Sequence, residues 1–165
     1  LNLRESILTA TTRYTNPQAG ISADYPQNWL LDEQSDSYIF RVSDVSAQGF
    51  NTTLQVETRP ISSQATARNI FDALTLERAQ TQAAYIVISE EPFVLPDDTL
   101  TSAMSYTFVT TETNPFLQSI PVVVEGIDIL IVERGQAIIV SFLSQADTFD
   151  QNQVILDRFL RSLEF

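Results

Sequence analysis

The longest apolar stretch of the chain places apolar side chains on both faces of a predicted strand pair. Residues 121–145 read PVVVEGIDILIVERGQAIIVSFLSQ, with the turn signature ERGQ in the middle. Gly135 supplies the permissive backbone of such a turn, and Gly126 predicts a bulge or bend in the first strand. Because neighbouring side chains of a strand point to opposite faces, this hairpin must be covered from both sides. We therefore expect the chain to enclose a sheet between other elements.

Two segments with helical periodicity supply that cover. Apolar residues recur at helical spacing over residues 63–82, where the alkyl stem of Arg78 continues the stripe and Thr66 or a preceding serine can cap the start. Residues 149–163 carry a single apolar stripe after a potential cap at Thr148 or Asp147. Both segments predict amphipathic helices.

The remaining apolar segments have strand patterns and are joined by polar or Gly-containing links. They cover residues 21–25, 29–32, 37–43, 52–61, 84–95 and 101–112. We predict an α+β fold in which an antiparallel sheet of about seven or eight strands is sandwiched with helices. Residues 14–165 form one domain, and residues 1–13 form a flexible N-terminal arm or the end of a linker.

The charge balance constrains the partners of this domain. Nine arginines, with no lysine and no histidine, stand against 21 acidic residues, so the formal net charge is −12. Such a field repels phosphate backbones and anionic lipid head groups. The composition therefore predicts neither nucleic-acid binding nor binding of the domain itself to an anionic membrane surface.

Missing residue types exclude several kinds of chemistry. The sequence has no cysteine, so it has no disulfides, thiolate nucleophile or cysteine metal site. The lack of histidine and lysine excludes the usual Ser-His-Asp triad and Schiff-base catalysis. Four glycines do not form a phosphate-binding loop. We predict no cofactor and no catalytic residues of these classes.

Carboxylates are the enzymatic option that remains. Glu90-Glu91 and Asp97-Asp98 flank PFVLP, and Glu125 and Asp128 lie inside a strand segment. Adjacent strand residues point to opposite faces, so adjacency does not make a catalytic pair, and exposed charges are the common case. The calcium-loop pattern is missing, so the sequence assigns no metal site and favours at most incidental, weak cation binding.

The only tryptophan of the chain lies in the short sequence YPQNW. Pro26 ends one predicted strand after Tyr25, Gln27 and Asn28 turn the chain, and Trp29 opens the next strand. A buried indole at such a corner contributes a large apolar area and ties elements together, here the first strands to the C-terminal hairpin. Tyr25, Pro26 and Trp29 are thus predicted markers of the fold rather than ligand-binding residues.

The loop TTETNPFLQSIP, residues 110–121, is a candidate contact site. Phe116 and Leu117 lie between polar residues and two prolines, outside any periodic pattern. Apolar residues at a loop tip either contact a partner or fold back over the end of the sheet. Both interpretations of Phe116 and Leu117 stay open from the sequence.

Both ends of the sequence resemble the PsbP-like family. YTNPQAGISADYPQNWLLDE is similar to the start of that family, where a turn and a short strand lead into a Tyr-Pro-x-x-Trp corner. AIIVSFLSQADTFDQNQVILDRFLRSLEF is similar to its closing unit, in which a strand, a capped helix and a Ser-x-x-Phe segment return to the sheet. Ser162 and Phe165 match that last pattern. The resemblance implies an α/β/α sandwich.

The resemblance also implies a non-enzymatic binding or assembly role outside the cytoplasm, secreted or surface-tethered. The photosynthetic members use lysine-rich docking surfaces and histidines, which this chain lacks, so a photosystem role is not expected. A partner would be a protein or a small ligand. The alternatives are a hydrolase-like enzyme that uses carboxylates alone and a sensor or accessory domain of a larger membrane-tethered protein. The first residues lack a signal-peptide pattern, which leaves open a leader, lipid anchor or further domain before Leu1.

Overall fold

The computed structural model describes residues 10–112 and 120–165, which contain nine strands and two α-helices. The elements in chain order are β1 (Thr11–Asn16), β2 (Ile21–Pro26), β3 (Leu30–Asp32), β4 (Phe40–Ser43), β5 (Thr53–Pro60), α1 (Ala67–Thr81), β6 (Ala83–Val94), β7 (Leu100–Glu112), β8 (Ile120–Glu133), β9 (Gln136–Gln145), a 3-10 turn (Ala146–Thr148) and α2 (Phe149–Ser162).

Seven of the strands form one antiparallel sheet. Their order across the sheet is β3-β4-β5-β9-β8-β7-β6, so β9 and β8 lie in the interior and the described edges are the short β3 and the long β6. Strands β1 and β2 form a separate antiparallel hairpin, which therefore does not belong to the meander expected from the sequence. The predicted α+β architecture, a sheet of about seven strands sandwiched with helices, is confirmed.

Helix α1 covers one face of this sheet, called the α1 face below. Its N-cap is Thr66, whose hydroxyl accepts a bond from the backbone N–H of Asn69 while the Asn69 side chain accepts one from the Thr66 N–H. Reciprocal bonds of this kind satisfy two donors that a helix start leaves free. Ile70, Phe71 and Leu74 are buried against the sheet and form a core with aromatic residues of β7.

The opposite face, called the α2 face, is covered by α2 and the β1–β2 hairpin. Phe149, Leu156, Phe159 and Leu160 of α2 are buried in the larger core of the protein. After α2 the chain returns to β2, where the Glu164 N–H donates to Ser22 O at 2.8 Å and the Ser22 N–H donates to Glu164 O at 3.0 Å. The sheet is thus covered from both sides, as its two-faced apolar strands require.

The β8–β9 hairpin has the predicted turn but not the predicted bulge. Arg134 and Gly135 both have positive φ, which is the backbone of a tight two-residue hairpin turn. At Gly126 the pairing with both neighbouring strands is regular. A Cβ at this position would lie 2.5 Å from the ring of Tyr106 and 2.6 Å from the side chain of Leu143. The glycine therefore makes room for a packed tyrosine rather than for a bend.

The N-terminal boundary differs slightly from the expected one. Strand β1 begins at Thr11, within the predicted arm of residues 1–13, and its Tyr14 is buried against the ring of Phe40. The two described helices lack the combination of length and apolar character that a bilayer-crossing helix needs.

Candidate functional site

A buried polar cluster lies between α1 and the sheet. Asp128 of β8 is completely buried, and the Arg78 guanidinium of α1 donates to both of its carboxylate oxygens. The Asp128 Oδ1 atom also accepts hydrogen bonds from Ser141 Oγ at 2.7 Å and from Tyr106 OH at 3.2 Å. Arg78 lies over the Tyr106 ring at 4.5 Å. Burial, and then the charge of Asp128, raise the pKa of the Tyr106 hydroxyl well above its usual value.

A second layer of charges extends this cluster towards solvent. Arg59 of β5 donates to Glu57 at 3.1 Å and, with both terminal nitrogens, to Glu77 of α1. Burial raises the pKa of Glu57, although the charge of Arg59 offsets part of the effect. The hydrogen bonds from Arg59 lower the pKa of Glu77. These pairs attach α1 to β5 and line an open polar groove of about 580 Å³.

This arrangement suits an ion pair that holds α1 on the sheet better than it suits acid–base catalysis. Asp128 is sealed from solvent, and its oxygens already accept bonds from Arg78, Ser141 and Tyr106. A general base must instead reach the proton that it removes. An arginine that is paired with a buried carboxylate holds two elements in one register.

The carboxylate pairs suggested by the sequence do not come together. Glu90 and Glu91 pair with successive residues of β7 and therefore point to opposite faces. Glu125 and Asp128 are three residues apart in β8 and also lie on opposite faces. Asp97 and Asp98 are exposed at the β6–β7 turn. Among residues 10–112 and 120–165 no three His, Cys, Asp or Glu side chains are grouped as a metal site.

The three strands at the β6 end of the sheet, β6, β7 and β8, have an unusual charge pattern and are called the outer strands below. No basic residue occurs between Arg78 and Arg134, a segment that contains eight acidic residues. Of these acids, Asp128 is neutralised by Arg78. The outer strands therefore carry negative charge and no positive charge, in a protein that is already strongly negative.

Exposed aliphatic side chains concentrate on the same strands. Within the described residues, seven of the twelve exposed large apolar side chains belong to β6, β7 or β8: Ile86, Ile88, Val94, Leu100, Ile120, Val123 and Val132. Helix α2 packs mainly against β2 and β9, so the α2 face of the outer strands extends beyond it. The register divides these residues between the faces: Leu100, Ile120 and Val132 share the α1 face, whereas Ile86 and Val123 share the α2 face. Single exposed aliphatic residues are ordinary, so the contact surface is argued from Ile86 and Val123 together with the charges beside them.

Five neighbouring residues on the α2 face form what we call the outer patch. The strand register brings together Ile86 with Thr107, Thr107 with Glu125, and Val109 with Val123. Ile86 is 60% exposed and Val123 49% exposed, which is enough area for an apolar contact. Burial, and then the nearby charge of Asp150 at the start of α2, raise the pKa of Glu125. The patch thus combines aliphatic area with the carboxylate of Glu125, which the carboxylate of Asp150 in the neighbouring helix α2 repels.

An open groove of about 770 Å³ begins at Val123, on the edge of the outer patch. It runs between residues 44–52, the start of β8 and residues 145–152. Asp44 and Asp147 line it, and none of its described lining residues is basic. The groove therefore continues the acidic character of the outer patch towards α2.

The predicted contact residues Phe116 and Leu117 lie outside the described residues. They belong to the segment that joins β7 to β8, the two strands that carry most of the outer patch. Their contact role stays a prediction, and its position along the chain is compatible with the outer patch.

Two of the predicted corner residues, Pro26 and Trp29, line a small cleft. Tyr25 is buried and Pro26 is the last residue of β2. The backbone N–H of Trp29 donates to the backbone carbonyl of Pro26 at 3.0 Å. Trp29 is 7% exposed and belongs to the core that contains Phe159 of α2 and, from the C-terminal hairpin, Val140 and Phe142. Strands β1 and β2 form a separate hairpin, and α2 packs against β2.

Sequence reasoning placed Arg78 and Asp128 in the right elements but did not pair them. Two signals pointed to the pair: an arginine on the apolar stripe of a helix, and an aspartate in the apolar run GIDILIV. A buried charge needs a partner of opposite sign. Arg78 is the one charge on the apolar stripe of the helix, and Asp128 is the one charge in the apolar run of the strand. The outer patch was missed because its members are distant in sequence and meet only through the strand register.

Solved structures show the fold of this chain in other proteins. The solution structure of cyanobacterial PsbP (CyanoP) from Synechocystis sp. PCC 6803 matches 94% of this chain and 92% of its own, with a TM-score of 0.60 and 15% identity. LpqN, involved in cell envelope biogenesis of Mycobacterium tuberculosis, matches 93% of this chain and 89% of its own, with a TM-score of 0.56 and 10% identity. The PsbP-like fold expected from the sequence is confirmed, and at these identities the likeness concerns the fold alone.

The sequence matches no protein-family model. It matches no curated protein either.

Proposed function

We propose that this domain is a non-enzymatic module that binds a protein through the outer patch. The observation that carries the proposal is the coincidence of exposed Ile86 and Val123 with Glu125 in a region without a basic residue. Apolar area supplies affinity, and uncompensated charge selects the partner and steers its approach. The partner is therefore a cationic protein segment that also carries aliphatic side chains.

The electrostatics of Glu125 and Asp150 support a cationic partner. Partial burial of Glu125, and then the repulsion by Asp150, raise the pKa of the Glu125 carboxyl, so the two ionised carboxylates destabilise each other. An arginine or lysine of a partner placed between them would relieve this repulsion and form a charge-assisted hydrogen bond. Neutral apolar partners would leave the repulsion in place.

The binding test uses short synthetic peptides in which the numbers of arginine and leucine residues vary independently. We expect affinity to need both residue types and to fall as salt is added. The Glu125→Gln/Asp150→Asn double variant should weaken the best peptide by about tenfold, equivalent to ~1.4 kcal/mol. The matched control, Asp97→Asn/Asp98→Asn, removes the same charge at the β6–β7 turn and should bind normally.

Two results would contradict this function. One is equal loss in both double variants, which would mean that only net charge matters. The other is undiminished binding by an Ile86→Ser/Val123→Ser variant that remains folded. A Phe116→Ser/Leu117→Ser variant tests, in the same assay, whether the loop between β7 and β8 belongs to the contact surface.

We further propose that the domain acts outside the cytoplasm, secreted or tethered to the surface. The likeness in fold to LpqN, a protein of cell envelope biogenesis, supports this placement. Fractionation of cells that produce the tagged product of the whole reading frame tests it, and recovery in the cytoplasm alone would contradict it. The same reading frame tests the accessory-domain alternative, because it would reveal a further catalytic or membrane-spanning domain.

A further inference from the structure

A small cleft lies between the corner at Trp29 and helix α2, on the side of the protein away from β6. Its apolar lining includes Pro26, Trp29, Ile155 and Phe159, and the exposed Arg158 lines it too. The cleft is therefore a concave site built by two elements that the core holds in place.

The volume of the cleft, about 180 Å³, limits what can enter it. A water molecule occupies roughly 30 Å³, and an apolar cavity of about 150 Å³ accommodates a benzene molecule. Sites for drug-sized ligands are larger, at about 300–1,000 Å³. The cleft thus fits one apolar group of the size of a leucine or phenylalanine side chain.

Residues of opposite charge accompany the apolar lining of the cleft. Arg158 of α2 and Asp44, which follows β4, both line the cleft, yet they form no salt bridge with each other. Within the described residues Arg158 pairs with no other acid. Asp44 uses one oxygen, Oδ1, to accept bonds from Ser46. A third charge, Asp24, is already paired with Arg13 at 3.0 Å and contributes less.

We infer that this cleft binds a free α-amino acid with an apolar side chain. The side chain lies against Trp29 and Phe159, the carboxylate bonds to Arg158, and the ammonium group bonds to Asp44. A zwitterion matches both charges at once, whereas an anion or a cation meets a repelling group. Asp44 also lines the groove that begins at Val123, but none of the five outer-patch residues lines the cleft. Failure of this inference would therefore leave the protein-binding proposal unaffected.

Trp29 is the only tryptophan of the chain and reports directly on this site. In a titration with L-leucine, we expect a saturable change in its fluorescence and a concentration-dependent rise in the melting temperature. Leucinamide lacks the carboxylate and N-acetyl-leucine lacks the ammonium group, so each should bind at least about tenfold more weakly. No saturable response to leucine or phenylalanine, or equal binding of either blocked derivative, would overturn the inference.

Two variants locate the response. Arg158 is exposed, so Arg158→Gln should keep the fold, which an unchanged melting temperature without leucine would verify. This variant should weaken leucine binding by about tenfold, whereas the control Arg161→Gln, one turn further along α2, should leave it unchanged. Asp44→Asn keeps the acceptor for Ser46 and should weaken leucine binding too. Equal affinity of Arg158→Gln and the unmodified protein would overturn the inference.

Discussion

Arg78 and Asp128 form a two-pronged ion pair beneath α1, although they are 50 residues apart in the sequence. Asp128 is fully buried, and the side chain of Arg78 is only 15% exposed. A pair like this adds little net stability over apolar residues of the same shape, but losing one member leaves the other charge buried. The pair therefore fixes where α1 lies on the sheet.

Removal of one partner of this pair is expected to destabilise the protein strongly. Asp128→Ala leaves Arg78 without a counter-charge and removes the acceptor of Ser141, so the free energy of unfolding should fall by about 3–5 kcal/mol. Urea denaturation measures the change. Asp72→Ala is the matched control, because Asp72 makes only an exposed 3.9 Å contact with Arg68, and it should change little.

A double variant separates the charge from the packing. Arg78→Met combined with Asp128→Leu replaces both charges by apolar groups, and it should recover a large part of the loss caused by Asp128→Ala alone. If the double variant is as unstable as the single one, the hydrogen bonds to Ser141 and Tyr106, rather than the unpaired charge, dominate this site.

The sequence was sufficient for most elements and insufficient for the contacts between them. Both helices, the Thr66 cap and every strand but β1 follow from periodicity and capping chemistry, which are local. Strand β1 lies where the sequence predicted an arm and a turn, because its Thr-rich pattern has no apolar alternation. The partner of Asp128 depends on where α1 lies on the sheet, which no local pattern specifies. Gly126 shows the same limit: a glycine in a strand predicts a bulge, but the side chain that needs its space, Tyr106, comes from the neighbouring strand.

Glu57 and Glu77 should give opposite pH dependences. Burial raises the pKa of Glu57 above its ordinary 4.5 in the folded protein, so its ionisation destabilises the fold. Relative to Glu57→Gln, the unmodified protein should therefore gain stability as the pH falls through the raised pKa towards 4.5. Arg59 lowers the pKa of Glu77, so relative to Glu77→Gln the unmodified protein should lose stability as the pH falls below 4.5.

Denaturation of the unmodified protein and the two glutamine variants across this pH range checks both signs. Each comparison cancels the other titrating groups, because both proteins contain them. A stability difference for Glu57→Gln that grows more unfavourable to the unmodified protein on acidification would mean that the bond to Arg59 outweighs the burial of Glu57.

Trp29 is expected to stabilise the corner between β2 and β3. Trp29→Ala removes a nearly buried indole beside Phe159 and should lower the free energy of unfolding by about 3–5 kcal/mol. Circular dichroism should follow the unfolding, because the variant has no tryptophan. The neighbouring Leu30 is 62% exposed, so Leu30→Ala is the control and should change stability little. A folded Trp29→Ala variant of near-normal stability would contradict the structural role.

The outer edge of β6 is protected from strand pairing by its charges. Glu90 and Glu91 are exposed on this edge, Pro92 offers no N–H, and two register shifts interrupt the strand before them. Glu90→Val/Glu91→Val would turn the segment into a long β-branched edge, and we expect self-association that increases with protein concentration, measured by sedimentation velocity.

Charge reversal distinguishes local protection from net charge. The Val variant makes the net charge of −12 less negative by two units, and Glu90→Lys/Glu91→Lys makes it less negative by four. If general repulsion opposed self-association, the Lys variant would associate more strongly than the Val variant. Because a charge of either sign on the edge opposes pairing with a second copy, we expect the Lys variant to associate no more than the unmodified protein. Association of the Lys variant at the same concentrations would assign the protection to net charge instead.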